Sequence, residues 1–175
     1  MHVAERLFVT YHATLVRYLT RRLGDRDWAE EVAQETFVRA LRQETIVNER
    51  AWVFAVAHNI VRDGARKDAR NRQHLELLAA ESREASESQN EDEEEQTLGR
   101  AVEMARARRA LAELSERDRQ ALLLKEEGLD YGEIADVLKI EKSSVGTTLS
   151  RARRRLAEAY EGLAANGRGG ADVAS

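Results

Sequence analysis

The chain has 175 residues, a net charge of −4, no Cys and no Pro. That length suits one or two small domains, and the missing thiols exclude disulfides, a thiol redox switch and a cysteine metal site. His2, His12, His58 and His74 are scattered without ligand spacing, so no metal or cofactor is expected, and no apolar run is long enough to cross a bilayer.

Apolar residues recur at helical spacing and no segment alternates over a strand's length, which predicts an all-α fold. The first helix is expected over residues 3–23. Leu7, Phe8, Tyr11, Leu15, Tyr18 and Leu19 share its broad apolar face, with Arg6, Arg17, Arg21 and Arg22 mostly off it. Gly24 and Asp25 break it. The second helix is expected from Trp28 to Arg42, with Asp27 as cap and Glu30 completing a capping box. Ala29, Val32, Ala33, Thr36, Phe37, Ala40 and Leu41 form its packing face. Glu30, Glu31, Gln34, Glu35, Val38, Arg39 and Arg42 form the other, which spacing alone reads as a solvated face as readily as a partner site.

A polar stretch, Gln43 to Asn48, precedes a third helix from about Glu49, packed through Trp52, Val53, Val56, Ala57, Ile60 and Val61. Past Asn59 this helix turns basic, with Arg62, Arg66 and Arg70 at four-residue spacing and Lys67 and Arg72 beside them. Such a cluster can hold a nucleic-acid backbone. Equally, it can be a surface of i, i+4 ion pairs such as Asp63 with Lys67.

Residues 76–99 read as a linker. Glu81, Glu84, Glu87, Glu91, Asp92, Glu93, Glu94 and Glu95 face one cation, Arg83, and large apolar residues stop after Leu78. Burial cannot offset the ordering entropy of such a segment, so disorder is expected. Helical patterning resumes at Leu98 or Arg100. Setting the acidic block aside leaves a near-neutral-to-basic remainder.

The stretch from Leu114 to Tyr160 divides into three helices. Ser115 is the expected cap of the first and Gly128 its stop. Asp130 with Glu133 makes a box-like cap for a short second helix that turns Ile134, Ala135 and Leu138 inward. After the turn Lys139-Ile140-Glu141, Ser143 or Ser144 can cap the third, lined by Val145, Leu149, Ala152 and Leu156. Two short helices around a small residue, Ala135, are the pattern of a helix-turn-helix. From Lys142 to Leu156 the chain carries Lys142, Arg151, Arg153, Arg154 and Arg155 and no acid. Its uncharged start suits base edges and its basic part phosphates. The plainer alternative is a three-helix packing unit with a solvated basic face. After Leu163 a frayed tail is expected.

Three segments, DWAEEVAQETFVRAL, AWVFAVAHNIVRDGARKDAR and DYGEIADVLKIEKSSVGTTLSRARRRL, occur in that order. Together they resemble the extracytoplasmic-function sigma factors, the smallest class of bacterial sigma subunits of RNA polymerase. The resemblance covers roughly residues 4–75, the family's region 2, and 100–160, its region 4. It implies a region 2 domain over 1–75, an acidic linker over 76–99, a region 4 helix-turn-helix over 100–163 and a disordered tail over 164–175.

The resemblance also implies partners: core RNA polymerase, through its β′ clamp helices and β flap, promoter DNA and, in many members, an anti-sigma factor. Glu31, Gln34, Glu35, Val38 and Arg39 stand where the family contacts core. Glu44, Thr45, Ile46, Val47 and Asn48 stand at its minus-ten loop, where promoter bases are flipped out. Asn59, Arg62, Arg66 and Lys67 would support that DNA strand, while Trp52 is expected to pack the domain. In region 4, Ser143, Ser144, Gly146 and Thr147 occupy the positions that read the minus-thirty-five element, with Arg151, Arg153 and Arg154 facing phosphates. Many relatives carry an Arg or Lys near Gly146 or Thr147. This chain has none there, so readout through hydroxyls and DNA shape is expected.

The function implied is a promoter-specificity subunit without catalysis of its own, working in the cytoplasm. The rival is a stand-alone helix-turn-helix regulator, which has no use for the AEEVAQETF face beside a basic base-flipping region. An enzyme has little support: no nucleophile–base pair or phosphate-cradling glycine loop appears, and capping explains Ser143 and Ser144.

Overall fold

The computed structural model describes residues 2–68 and 91–169, with side chains over 2–64 and 98–166. Among the described residues there are seven α-helices and no strand: α1 Val3–Leu23, α2 Arg26–Ala40, α3 Glu49–Asp68, α4 Glu91–Glu113, α5 Glu116–Glu126, α6 Tyr131–Leu138 and α7 Lys142–Gly169. The all-α expectation holds. The linker reading falls mostly on residues outside this description, as do Arg70 and Arg72.

α1 ends where Gly24 takes a left-handed φ of 72° and donates its N–H to the Thr20 carbonyl. That turn makes Asp25 the cap of α2: its carboxylate accepts from the Trp28 N–H at 3.0 Å. Asp27, the expected cap, already lies inside the first turn. α2 buries Ala29, Val32, Ala33, Thr36, Phe37 and Ala40 as its spacing predicts, but Leu41 follows the last helical residue and is 61 % exposed. α3 crosses α1 and α2 and buries Ala51, Val53, Phe54, Ala57 and Val61. Phe54, which the apolar stripe omits, is fully buried because α3 has neighbours on two sides, and it meets the Tyr18 ring edge-on at 5.1 Å. Phe8 is half exposed, joining His12 and Phe37 in an aromatic group at the surface. Trp52 is half-buried and packs on the core as expected.

The second half assembles around α7, against which α4, α5 and α6 all pack. α4 starts at Glu91, ahead of the Leu98 start that apolar spacing indicates. The sequence from Glu91 to Glu95 is wholly acidic, a composition that favours a helix start through the dipole and through glutamate's helix propensity. Gly128, at φ 84°, closes α5, and the Leu129 N–H reaches back to the Leu124 carbonyl at 3.2 Å. α6 carries the expected box: the Asp130 carboxylate accepts from the Glu133 N–H at 2.8 Å and Glu133 accepts from the Asp130 N–H at 2.9 Å. The turn into α7 sets Lys139 at φ 54°, a left-handed conformation without glycine. α7 starts at Lys142, so Ser143 and Ser144 lie in its first turn rather than capping it. The Ser144 N–H bonds the Glu141 carbonyl at 2.9 Å. The helix runs on to Gly169, past the expected end near Leu163.

The two halves share one continuous apolar cluster: α1 packs on α5 and α3 on α6. Among the described residues, four arginines cross this seam. Arg17 is bidentate on Glu127 at 2.5 and 3.1 Å, Arg21 meets Glu126 at 2.7 Å and Arg22 meets Glu116 at 3.2 Å. Arg50 is bidentate on Glu133 at 2.9 and 3.2 Å. Arg22, expected off the apolar face of α1, is therefore buried, its side chain 2 % exposed.

Candidate nucleic-acid and polymerase interfaces

On α2, the positions that alternate with the buried stripe point outward together. Glu31, Gln34, Glu35, Val38 and Arg39 are all exposed, with Glu35 and Arg39 paired at 2.8 Å one turn apart. Because Ala29, Ala33 and Ala40 let α2 sit close on its neighbours, this face is a firm ridge rather than a loop. An exposed valine between charged side chains gives it the mixed character of a docking surface.

The loop after α2 divides by role. Glu44, Thr45 and Val47 are exposed, while Ile46 turns in against the core and anchors the loop. Asn48 takes a structural part: its side-chain oxygen accepts from the Ala51 N–H at 3.0 Å and caps α3. On α3, Arg62 is exposed and lies 3.9 Å from Asp63. Asn59 is half-buried, its Oδ1 without a partner among the described residues. The Arg66 and Lys67 side chains lie outside the described residues.

On α7, Ser143, Ser144 and Thr147 are exposed and Gly146 half-buried, while Val145 and Leu149 are fully buried beneath them. The exposed face and the packing face are thus separated as helical spacing requires. Arg153 and Arg154 are exposed, with Arg154 loosely opposite Glu158 at 3.9 Å. Arg151 differs. Its guanidinium binds Asp118 on α5, at 2.5 Å through Nη2, and Arg155 joins the same carboxylate at 3.0 Å. The Asp118 side chain is fully buried, and the Arg151 hydrogen bonds hold its carboxyl below the ordinary range. Arg151 therefore fixes α7 to α5, and Arg153 and Arg154 are the freer cations.

Sequence reasoning missed two residues that tie the site's elements together. The first is Arg50, whose bidentate bond joins the start of α3 to the capping-box Glu133 of the helix-turn-helix. Burial alone would raise the Glu133 carboxyl, but Arg50, the Asp130 N–H and Asn48 together hold it below its ordinary value. The second is Asp118. Neither had a local signal, since each acts across the tertiary fold.

The geometry defines a two-part helical protein that presents a helix-turn-helix in one part and a charged docking ridge beside a polar loop in the other. Comparison with known proteins agrees. Residues 7–71 match the family model for sigma-70 region 2, and residues 104–156 that for sigma-70, region 4. The chain is 31 % identical over 159 residues to RNA polymerase sigma factor YlaC of Bacillus subtilis, covering 87 % of this chain and 88 % of that one. It is 33 % identical over 153 residues to the ferric citrate uptake sigma factor FecI of Escherichia coli, covering 85 % of each. Further relatives carry the name ECF RNA polymerase sigma factor. In fold it resembles sigma factor RpoE, solved in complex with the anti-sigma factor NepR from Bartonella quintana: TM-score 0.66, 23 % identity, 90 % of this chain and 96 % of that one. The chain belongs to the extracytoplasmic-function sigma factors of the sigma-70 family. It is a subunit that binds core RNA polymerase and directs promoter recognition and transcription initiation, and the stand-alone regulator gives way to that reading.

Proposed function

We propose that the exposed ridge of α2 (Glu31, Gln34, Glu35, Val38 and Arg39) is the main docking face for the β′ clamp helices, and that the loop and α3 engage minus-ten bases. In this reading Glu44, Thr45 and Val47 meet the unstacked strand, with Ile46 and Asn48 holding the loop in shape. Asn59 and Arg62, with Arg66 and Lys67 further along the helix, follow the strand's backbone. Ser143, Ser144, Gly146 and Thr147 read the minus-thirty-five duplex, with Arg153 and Arg154 on phosphates. The single observation that carries this reading is the ridge of α2, exposed along its length beside an outward-facing polar loop. The work belongs to the bacterial cytoplasm, in keeping with the finding that no described helix is long and apolar enough to cross a membrane. An anti-sigma protein, as bound by the structural neighbour, is a further partner in this reading.

The closed seam must open for this work. Minus-ten and minus-thirty-five elements lie about 25 base pairs apart, roughly 85 Å along duplex DNA. A compact chain of this length is only about 40 Å across.

The test is binding to purified bacterial core polymerase followed by run-off transcription. Gln34→Ala/Glu35→Ala should weaken core binding about thirtyfold, the effect of losing a hot spot. Unchanged core affinity in the double variant would remove the α2 ridge from the interface.

Gly146 supplies a second expected result. A Cβ there would meet the Tyr131 ring at 3.6 Å, an ordinary contact, so the fold does not require glycine. Gly146→Ala should stabilise the protein by about 1 kcal/mol through helix propensity, read as a higher thermal midpoint. Weaker binding to a minus-thirty-five duplex by the same variant would show that DNA backbone needs the space. Unchanged duplex affinity would show that it does not.

A further inference from the structure

Where α1, α3 and α5 meet, the seam encloses a cleft of about 370 Å³ lined by Arg22, His58, Arg62, Glu116, Arg117 and Gln120, with Leu138 of α6 at its edge. Its charge is lopsided, with three guanidinium groups against one carboxylate. That carboxylate is already engaged, accepting from Arg22 at 3.2 Å and from the Gln120 amide at 2.8 Å. The Arg22 side chain is almost wholly buried; its Nε and Nη1 lie beside the buried Tyr18 hydroxyl without a well-aligned hydrogen bond among the described residues, and His58 Nδ1 is likewise buried without a partner there. A buried guanidinium with unmade hydrogen bonds is costly, and an acceptor that reached it from the cleft would offset that cost. The donors come from both halves of the molecule: Arg22, His58 and Arg62 from one, Arg117 from the other.

The geometry points to a binding site for a small phosphate-class oxyanion, held between Arg22, Arg62 and Arg117 and bridging the two halves across their seam. Arginine forks suit such an ion because parallel N–H groups meet its oxygens two at a time. The His58 ring supports this. Burial pushes its pKa down to about 4, with Arg22, Arg62 and Lys139 adding to the fall and Glu116 opposing it. An anion entering the cleft reverses that field and draws the ring toward protonation. A bound oxyanion also occupies Arg62 and favours the closed arrangement. The consequence for transcription rests on the sigma-factor reading above, but the binding itself does not.

The experiment is isothermal titration of the full-length protein with inorganic phosphate at fixed ionic strength in chloride, alongside NMR titration of the histidine rings. Phosphate should bind at a single site, raise the thermal midpoint above that in isoionic chloride and move the His58 titration upward. Arg117→Ala, at an exposed position, should leave the circular dichroism spectrum unchanged and weaken phosphate about tenfold. Glu116→Gln should tighten it. No phosphate binding beyond the chloride control, or binding indifferent to Arg117→Ala, overturns the proposal. A single-stranded oligonucleotide forms the second arm. If it displaces phosphate in an Arg117-dependent way, the cleft serves the DNA backbone, and the free-anion site is overturned.

Discussion

Replacing Arg17 with glutamate should release the seam between the two halves and shift the closed–open balance on the order of a hundredfold. Its partner, Glu127, has a side chain only 3 % exposed and is held by both forks of the Arg17 guanidinium. Arg17→Glu removes that compensation and sets a second carboxylate against the first. Breaking a buried pair in this way costs about 3–5 kcal/mol. Arg17 is itself 53 % exposed, so water screens part of the loss and about 2–3 kcal/mol is the fitting figure. Arg21, 3.9 Å from Glu127, retains a little of the attraction, and the apolar contact of α3 with α6 remains. The chain has no Cys, so cysteines introduced at exposed Glu5 and Glu158 take a fluorophore pair cleanly. Energy transfer between them should fall in Arg17→Glu. Adding Glu127→Arg should recover part of it, giving a coupling in the double-mutant cycle. Arg17 lies outside the α2 ridge and the DNA-facing positions. The variant should therefore keep its affinity for core polymerase and form promoter complexes faster. Unaltered energy transfer would mean that the Arg17–Glu127 pair does not hold the halves together.

What the sequence made legible follows the range over which each feature is encoded. The α2 ridge, the Asp130–Glu133 box and the inward stripe of α7 repeat within a turn or two, and the structure reproduces them. Cap positions shift by a residue or two where a neighbouring turn decides them. Gly24 in its left-handed conformation passed the capping role to Asp25 rather than Asp27, and the short turn through Lys139 started α7 ahead of the serines. Side chains whose environment comes from another helix were the hardest to foresee. Arg22 and Arg151 look like surface cations on their own helices. One is buried against Glu116 from 94 residues away, the other fixed by Asp118 from 33. No local periodicity carries such information. Nor did it indicate the second packing side of α3, which is why the burial of Phe54 against Tyr18 and the place of His58 in the seam cleft emerged only from the assembled fold.

Asp118 offers the other large effect, on stability rather than on domain arrangement. Its fully buried carboxylate accepts from Arg151 and Arg155, joining α5 to the recognition helix where Leu123, Leu124 and Leu149 form the core beneath. In Asp118→Ala the two guanidinium groups, 37 % and 50 % exposed, can turn to water, so no charge is stranded. The loss is that of strong charged hydrogen bonds and is about 3 kcal/mol. For a chain of this size it should lower the thermal midpoint by roughly 10 °C. The pH dependence separates this electrostatic loss from simple loss of packing. The Arg151 hydrogen bonds depress the folded-state carboxyl below its ordinary value of 3.8, so its contribution is complete above that value and disappears as pH falls through the folded one. The stability gap between wild type and Asp118→Ala should therefore be constant near neutrality and narrow below about pH 4, as seen in denaturant unfolding across that range. A gap that stays the same width into acid would assign the effect to side-chain volume and leave the Arg151–Asp118 bond without a stabilising role.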